Sequence, residues 1–93
     1  MNKIKFNNTE FEVGSYSKTT NFSDGTIHST AYCSLITNNI AELQALGLET
    51  ITSIEISHDN EVIYELDNLT AKINDISEYL NGNTIDVSLN LVF

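Results

Sequence analysis

The fold is decided first by residues 2–13, which read NKIKFNNTEFEV. Asn7 and Asn8 both tolerate a positive φ, so they predict a two-residue turn between two antiparallel strands. That register pairs residues across an apolar face: Phe6 with Thr9, Ile4 with Phe11, and Asn2 with Val13. It also pairs opposite charges across the other face: Lys5 with Glu10, and Lys3 with Glu12. Because one register satisfies both faces, and each charged pair stabilises a ladder by about 0.2–1 kcal/mol, residues 2–13 predict a β-hairpin.

A second hairpin is predicted within residues 15–37. Its turn falls at Ser23-Asp24-Gly25, where Gly25 can take a left-handed conformation without a steric penalty. The two arms of this hairpin are rich in Thr and Ser and alternate poorly between apolar and polar residues. Burial therefore dictates this segment least, and its register stays open.

A third hairpin is predicted from ITSIEIS (51–57) to EVIYEL (61–66). A three-residue loop of His58, Asp59 and Asn60, with Asn60 left-handed, would connect the two strands. This loop sets the expected pairs: Ile56 with Val62, Ile54 with Tyr64, and Thr52 with Leu66.

Residues 39–46 predict the single helix. Asn39 can cap it, and Glu42, three residues on, completes a box-like arrangement. The apolar stripe consists of Ile40, Leu43 and Leu46. Gly47 stands at the exit, where a contact between Leu48 and Leu43 would make a Schellman ending. The helix has only about two turns, so packing must hold it.

The last segment, TIDVSLNLVF (84–93), alternates cleanly and predicts a strand. The segment before it, residues 69–80, fits two structures. A helix would carry an apolar stripe: Leu69, Ile73, Ile76 and Leu80. A strand, joined through a loop of residues 81–83, would form three pairs on the apolar face: Tyr79 with Ile85, Ser77 with Val87, and Ile73 with Leu91. The same strand would place Asp75 opposite Leu89, which is unfavourable. We favour the strand because its partner is adjacent and the loop chemistry fits.

Size and composition indicate one domain, an interaction domain spanning residues 1–93, with 41% hydrophobic residues to build one core. The expected fold class is mainly β, with α+β as the alternative: antiparallel hairpins in a small sandwich or roll with a short helix at about 39–46. Cys33 is the only cysteine, which excludes an intrachain disulfide and a zinc site built from several cysteines. No secretory signal and no membrane span is expected, so the cytoplasm of the producing host cell is the predicted location, with the virion as a second one.

Charge is distributed unevenly along the chain. Residues 41–93 carry ten acidic side chains and one lysine, whereas residues 1–40 carry three of each sign, and the formal net charge is −9. The chain has no arginine, and nucleic-acid binding needs clustered Lys and Arg, so nucleic acid is excluded as a partner. We take seven acids as a candidate interaction surface: Glu49, Glu55, Glu65, Asp67, Asp75, Glu78 and Asp86. The alternative is a solvated outer face that keeps the protein soluble.

Two groups of residues could carry chemistry. His28 and Cys33 could form a base and a nucleophile, but their odd spacing places them on opposite faces of a strand. We therefore interpret Cys33 as a small buried residue and His28 as a surface residue. His58, Asp59 and Glu61 could bind a metal, but the sequence fits a solvated hairpin turn better. No P-loop, GxSxG or GxGxxG motif is present. We expect no enzymatic activity, no cofactor and no metal.

Three segments are hairpins with Asn-rich turns: MNKIKFNNTEFEV (1–13), LETITSIEISHDNEVIYEL (48–66) and ISEYLNGNTIDVSLNLVF (76–93). In this layout the chain resembles short virion proteins encoded by tailed phages and prophages of AT-rich Gram-positive bacteria. The resemblance implies a β-rich module of a tail, neck or capsid-decorating structure that acts through contacts, with other proteins or with itself as a homo-oligomer. It transfers no functional residue, because these proteins have no catalytic motif.

Small acidic phage proteins also include inhibitors of host defence, some of which mimic DNA with carboxylates. The acidic charge fits an inhibitor of a defence nuclease at least as well as a structural protein. The Thr/Ser-rich hairpin fits a structural protein better, because a partner could complete its burial or pair with its edge. The two functions differ in salt dependence, since exposed charge pairs are screened within about 10 Å at 0.1 M salt.

Overall fold

The structure is a computed structural model that describes residues 1–37 and 39–93. Over those residues it is mainly β with one short helix, which confirms the predicted fold class. The elements are β1 (Asn2–Phe6), β2 (Thr9–Ser23), β3 (Thr26–Ile36), α1 (Ile40–Leu46), β4 (Ile54–His58), β5 (Glu61–Leu66), β6 (Lys72–Asn81) and β7 (Thr84–Val92).

The strands form one antiparallel sheet in the order β5-β4-β1-β2-β3-β7-β6. The residue before β6, Ala71, pairs with Ile51, which precedes β4, through backbone hydrogen bonds of 2.8 and 3.0 Å. These two segments belong to strands near opposite ends of the strand order. The sheet is therefore curled into a roll rather than stacked as a sandwich.

The inner face of the roll holds the core. β1 to β4 and β7 each place alternate apolar side chains on this face, as the twofold side-chain period of a strand requires. Leu43 and Leu46 of α1 are buried in the same cluster, and the Cδ1 atom of Ile76 in β6 lies beside Gly47 at the helix end. The buried apolar residues are Ile4, Phe6, Phe11, Val13, Ala31, Cys33, Leu35, Leu43, Leu46, Ile51, Ile54, Ile56, Ala71, Val87, Leu89 and Leu91.

The β1–β2 hairpin has the predicted register, with Ile4 opposite Phe11 and the Asn7-Asn8 turn between the strands. Only Asn7 of the two turn residues has a positive φ, 57°. Its side chain also has a role that the sequence did not indicate. The Asn7 Oδ1 atom accepts hydrogen bonds from the Thr52 amide and hydroxyl at 2.8 and 3.0 Å, and Asn7 Nδ2 donates to the Thr50 carbonyl at 3.1 Å. The turn is thereby fastened to the segment before β4.

The predicted β4–β5 loop is wrong in length. The turn consists of two residues, Asp59 and Asn60, with φ values of 49° and 67°, which is the conformation of a tight hairpin turn. A bulge at Ile63 then shifts the register. The observed pairs are Ile56 with Tyr64 and Ile54 with Leu66, so the predicted pairs of Ile56 with Val62, Ile54 with Tyr64 and Thr52 with Leu66 are not formed.

The β6–β7 hairpin confirms that residues 72–80 form a strand and not a helix. The loop again has two residues, Gly82 and Asn83, instead of three. The observed pairs near it are Leu80 with Ile85, Tyr79 with Asp86, and Ser77 with Ser88. A bulge at Asn74 compensates for the shorter turn, so Ile73 still faces Leu91 as predicted. Ile76 faces Leu89 and Asp75 faces Asn90, which removes the predicted clash of Asp75 with the apolar face.

The helix begins at Ile40 with Asn39 as its cap. The Glu42 amide donates to Asn39 Oδ1 at 3.1 Å, and Asn39 Nδ2 donates to the Glu42 carboxylate at 2.7 Å, which confirms the box-like pairing. The predicted Schellman ending is wrong, because Gly47 is right-handed with φ −64° and Leu48 is exposed. Gly47 instead continues the helical turn, and the Leu48 amide donates to the Ala45 carbonyl at 3.1 Å.

Candidate interaction surfaces

The β2–β3 hairpin extends well beyond the rest of the sheet. β1 pairs with β2 only over Thr9–Glu12, and β7 pairs with β3 only over Thr30–Leu35. We call the projecting part, residues 15–30, the arm, and the remainder of the protein the body. β2 and β3 form an unbroken ladder from Ser15 opposite Ser34 to Ser23 opposite Thr26, and β7 pairs with β3 no further than Thr30, so residues 20–29 form a two-stranded ribbon. Its turn at Asp24 and Gly25 has positive φ at both residues, which confirms the predicted left-handed Gly25.

The tip of the arm is apolar on one face. Phe22 pairs with Ile27, and the two side chains are 78% and 66% exposed. They lie on the inner face of the ladder, the same face on which Tyr16 pairs with Cys33 nearer the body. A cross-strand pair of this size normally packs against other apolar side chains, so the tip presents apolar surface that residues 1–37 and 39–93 leave uncovered.

A groove of about 460 Å³ lies where the arm leaves the body. One wall is the β2 segment from Val13 to Lys18, and the other consists of β4 and β5 residues, among them Ile63 and Tyr64. The Tyr16 and Tyr64 rings pack across it with centroids 5.5 Å apart and planes inclined at 51°. The Tyr16 hydroxyl is buried without a hydrogen-bond partner among the described residues. Burial, followed by the neighbouring Tyr64 hydroxyl, raises the pKa of Tyr16 above its usual range.

The two outer strands of the sheet, β5 and β6, have features that prevent pairing with another chain, and the β2 edge of the arm lacks them. β5 carries Glu61 and Glu65 and is interrupted by the Ile63 bulge. β6 carries Lys72, Asp75 and Glu78 and is interrupted by the bulge at Asn74. Charges and bulges are the devices that keep an exposed strand from pairing with another chain. Along the β2 edge of the arm, from Ser15 to Ser23, the ladder has no bulge and Lys18 is the one charged residue.

Part of the predicted acidic surface forms a row on the outer face of the sheet. Glu55 pairs directly with Glu65 across β4 and β5, and the Lys5 Nζ atom lies 3.0 Å from the Glu55 carboxylate. A hydrogen bond to Asp67 and the repulsion between the two carboxylates raise the pKa of Glu65. Three of the seven predicted acids, Glu55, Glu65 and Asp67, are therefore neighbours.

The other four predicted acids occupy different elements. Asp75, Glu78 and Asp86 lie on the β6–β7 hairpin, and Glu49 lies after α1. Asp86 accepts a hydrogen bond from Asn81 at 2.9 Å. Glu78 faces Val87 on the inner face, whereas Asp75 and Asp86 lie on the outer face. No hydrogen bond or ion pair in the described chain links these four acids to the Glu55 row, and whether the seven act as one surface stays a prediction.

The structure separates His28 from Cys33 as expected. Cys33 is buried, and burial raises the pKa of its thiol to about 12. His28 is exposed on the arm opposite Asn21, with its Nε2 atom 3.2 Å from the Thr26 hydroxyl. The two residues lie on opposite faces of β3, so they cannot form a nucleophile–base pair.

The His58 turn is engaged in local contacts. The Asp59 carboxylate lies 2.9 Å from the N-terminal ammonium group, and a hydrogen bond from that group, followed by the charge of His58, lowers the pKa of Asp59. His58 Nδ1 lies 2.6 Å from Asn2 Oδ1. In the described chain, no three or more His, Cys, Asp or Glu residues are grouped so that they could hold a metal ion.

A second groove, of about 620 Å³, lies between the start of α1 and the β6–β7 hairpin. Ile36, Ile40 and Ile85 give it an apolar lining, and Glu78 and Asp86 contribute carboxylates.

Comparison with other proteins adds no assignment, because no known protein family and no curated protein matches the chain. Over residues 1–37 and 39–93, no helix is long and apolar enough to cross a membrane. Sequence reasoning identified the Thr/Ser-rich hairpin but missed the groove at its root. That groove depends on Tyr16 meeting Tyr64, and no periodicity in the sequence indicates this contact.

Proposed function

We propose that this protein is a non-enzymatic structural protein of phage type that acts through protein–protein contacts in a virion or tail assembly. The observation that carries the proposal is the arm, which exposes an apolar pair, Phe22 and Ile27, and an unprotected strand edge. Strand edges are a recurrent means of joining chains, because backbone hydrogen bonds supply affinity and side-chain pockets supply specificity.

The distribution of charge supports the same role. Within the arm, Lys18 and Asp24 cancel, so the net charge of −9 belongs to the body. Like-charged bodies repel one another and stay apart, whereas the neutral arm can approach a neighbouring chain at little electrostatic cost. An assembly protein benefits from this arrangement, since it limits association to one surface.

One observation favours the second candidate function, an acidic inhibitor of a host defence nuclease. Glu55, Glu65 and Asp67 lie close enough together to raise the pKa of Glu65, so the outer face of β4 and β5 has a locally negative potential. A basic groove in a nuclease would be complementary to it. The Lys5 ion pair with Glu55 offsets part of this potential, and the arm has no use in this mechanism, so we rank it second.

The test of the proposed function is the composition of assembled particles. Phage particles are produced from the DNA that encodes this chain and are purified on a density gradient. Mass spectrometry then tests whether the particles contain the chain. We expect the chain in the particles at a fixed ratio to the other components. A chain that stays in the soluble fraction while complete particles form without it would overturn the structural role.

A second measurement separates the two candidate functions. Contacts through strand edges and apolar side chains should persist between about 0.05 and 0.5 M salt, and charge-reversed variants at Glu55 and Glu65 should still assemble. An inhibitor should lose affinity for a basic nuclease steeply over the same range. A monomer that protects DNA from a nuclease at low salt only would favour the inhibitor.

A further inference from the structure

In the arm, β2 pairs with β3 along one edge, and its other edge is open. The hydrogen bonds of β3 show which β2 residues direct their backbone N–H and C=O groups toward the open edge. The Phe93 amide donates to the Ser29 carbonyl at 3.1 Å, so the Ser29 backbone groups point away from β2. Its partner Thr20 must then direct its own N–H and C=O away from β3, toward the open side of β2. By alternation the same holds for Tyr16, Lys18 and Phe22. Over residues 1–37 and 39–93, no strand pairs with β2 on this side between Ser15 and Ser23.

The open β2 edge of a second copy of the chain can pair with this edge. If two β2 edges align antiparallel around a two-fold axis at Thr19, all residues from Ser15 to Ser23 find a partner. The alternation also agrees, because Lys18 of one copy then faces Thr20 of the other, and both direct backbone groups into the interface. Centring the axis one residue earlier would oppose Lys18 to itself, which like-charge repulsion disfavours.

The same alignment brings the two apolar features of the arm together. Phe22 of one copy falls opposite Tyr16 of the other, on the inner face and beside the 460 Å³ groove. Within one chain the tip cannot reach this groove, because six residues of extended strand, roughly 20 Å, separate Phe22 from Tyr16. Between two copies, each tip reaches the groove of the other.

Charge is compatible with this contact. The aligned edges contain Lys18 and no carboxylate, and Lys18 is already placed over the Phe93 ring, 4.9 Å from its centroid. The twelve acidic residues of the body lie outside Ser15–Ser23 and are therefore not part of the aligned edges. The neutral arm is therefore the part of the molecule where two copies can approach most closely.

We propose that the protein forms a two-fold symmetric dimer in which the β2 edges of two arms pair antiparallel, centred on Thr19, with Phe22 of each copy packed on Tyr16 of the other. This rests on the proposed function in that it names the partner for the arm: a second copy of the chain. The dimer joins two sheets into one and is the unit that an assembly would be built from.

Cysteine cross-linking tests the alignment. In the T19C variant of the full chain, the two introduced cysteines face each other across the axis at a non-hydrogen-bonded position, where Cα atoms lie about 4.5 Å apart and a disulfide can form. The control is H28C, which is on the same face but on β3. Three strand spacings, about 14 Å, separate the two cysteines across the sheet, and an offset of four residues along the strands adds to this distance. Native Cys33 is buried and does not compete.

We expect oxidised T19C to run as a dimer without reductant and H28C to stay a monomer. Equal cross-linking of both variants, or none of T19C, would overturn the proposed pairing.

A single proline gives an independent test. T20P removes an N–H that points to the open side, so β2 and β3 keep their ladder while the dimer loses a hydrogen bond in each copy. Sedimentation should show roughly 30-fold weaker dimerisation for T20P. T20A, which loses the hydroxyl and the γ-methyl group but keeps the backbone N–H, should stay close to the native protein.

These outcomes are separable from a failure of the proposed function. A chain that enters particles but is monomeric in isolation at every concentration refutes the dimer and leaves the structural role intact. A dimer that T20P and T20A weaken equally, or not at all, uses another surface and also refutes the proposal. A T19C-linked dimer that is never found in particles supports the pairing while refuting the virion role.

Discussion

The arm and the outer strands of the body differ in how their exposed edges are protected against pairing with other chains. β5 and β6 end the sheet, and each combines charged side chains with a bulge, at Ile63 and Asn74. The arm has a longer open edge, with a regular ladder, one lysine and a tip that exposes Phe22. Since unprotected edges carry a risk of aggregation, a chain that protects two edges and leaves a third open is expected to use the third.

The largest expected effect is the difference in unfolding free energy between a substitution in the body and one in the arm. Leu35 is fully buried in β3, and L35A should lower the free energy of unfolding by about 2–5 kcal/mol. F22A removes an exposed side chain and should change it by less than about 0.5 kcal/mol, while weakening self-association. Urea unfolding of both variants at a concentration where the protein is monomeric checks this. An F22A cost as large as that of L35A would mean that the tip is part of the core.

The two hairpin turns give a smaller contrast. Asn7 and Asp24 both have positive φ, so glycine fits either position. N7G also removes the side-chain hydrogen bonds to Thr50 and Thr52 and should cost about 1–2 kcal/mol. D24G is the matched control, since the Asp24 side chain has no hydrogen bond within residues 1–37 and 39–93. Thermal unfolding that shifts equally for the two variants would show that the Asn7 contacts add nothing.

Charge at position 20 tests the arm edge more finely. In the proposed register Thr20 faces Lys18 of the other copy, so T20E creates two attractive pairs and T20K two repulsive ones. Each cross-strand pair is worth about 0.2–1 kcal/mol, so T20E should dimerise more tightly than the native chain and T20K more weakly. Sedimentation at about 0.15 M salt, where distant charges of the body are screened, measures the order. The reverse order would exclude this register.

The smallest effect concerns the protected β5 edge. The pKa of Glu65 is raised, chiefly by the hydrogen bond to Asp67, so ionised Glu65 is disfavoured in the folded state. Its contribution to stability is therefore present below the unfolded pKa, near 4.5, and is lost as pH rises through the folded pKa. E65Q should leave stability at pH 7 unchanged or slightly higher and flatten its dependence on pH above 4.5. Because the Ile63 bulge remains, E65Q should not create a new oligomer.

The sequence predicted hairpins best where two independent signals agreed. Residues 2–13 satisfied an apolar and a charged face in one register, and the structure has that register. Asn39 and Glu42 located the helix start for a similar reason, since both side chains serve the same cap.

Bulges explain the errors in the other hairpins. A bulge adds a residue to one strand and shifts its alternation by one position. In β6 the three-residue spacing of Ile73 and Ile76 is such a shift, which the predicted unbroken ladder does not accommodate. At β6–β7 the shorter turn and the Asn74 bulge cancel, and Ile73 faces Leu91 as predicted, while the pairs between them are shifted. At β4–β5 the turn and the Ile63 bulge do not cancel, and every predicted pair is displaced.

The candidate site was predictable only in part. The shortage of core residues in the Thr/Ser-rich hairpin indicated that a partner could pair with its edge. The groove at its root requires that β1 be too short to cover β2 and that β5 bring Tyr64 to Tyr16, which are properties of the whole sheet. The seven acids were identified by composition, which carries no information on which of them are neighbours.

The most direct test of the arm as the association surface is its removal. Thr19 and Thr30 form a hydrogen-bonded pair of the ladder, so an Asn-Gly turn between them can replace residues 20–29 and leave the body intact. Sedimentation of this variant is compared with that of the intact chain over a concentration series, with urea unfolding as the check on folding. We predict a cooperatively folded monomer at concentrations where the intact chain is a dimer. A folded variant that forms the same dimer as the intact chain would contradict the account.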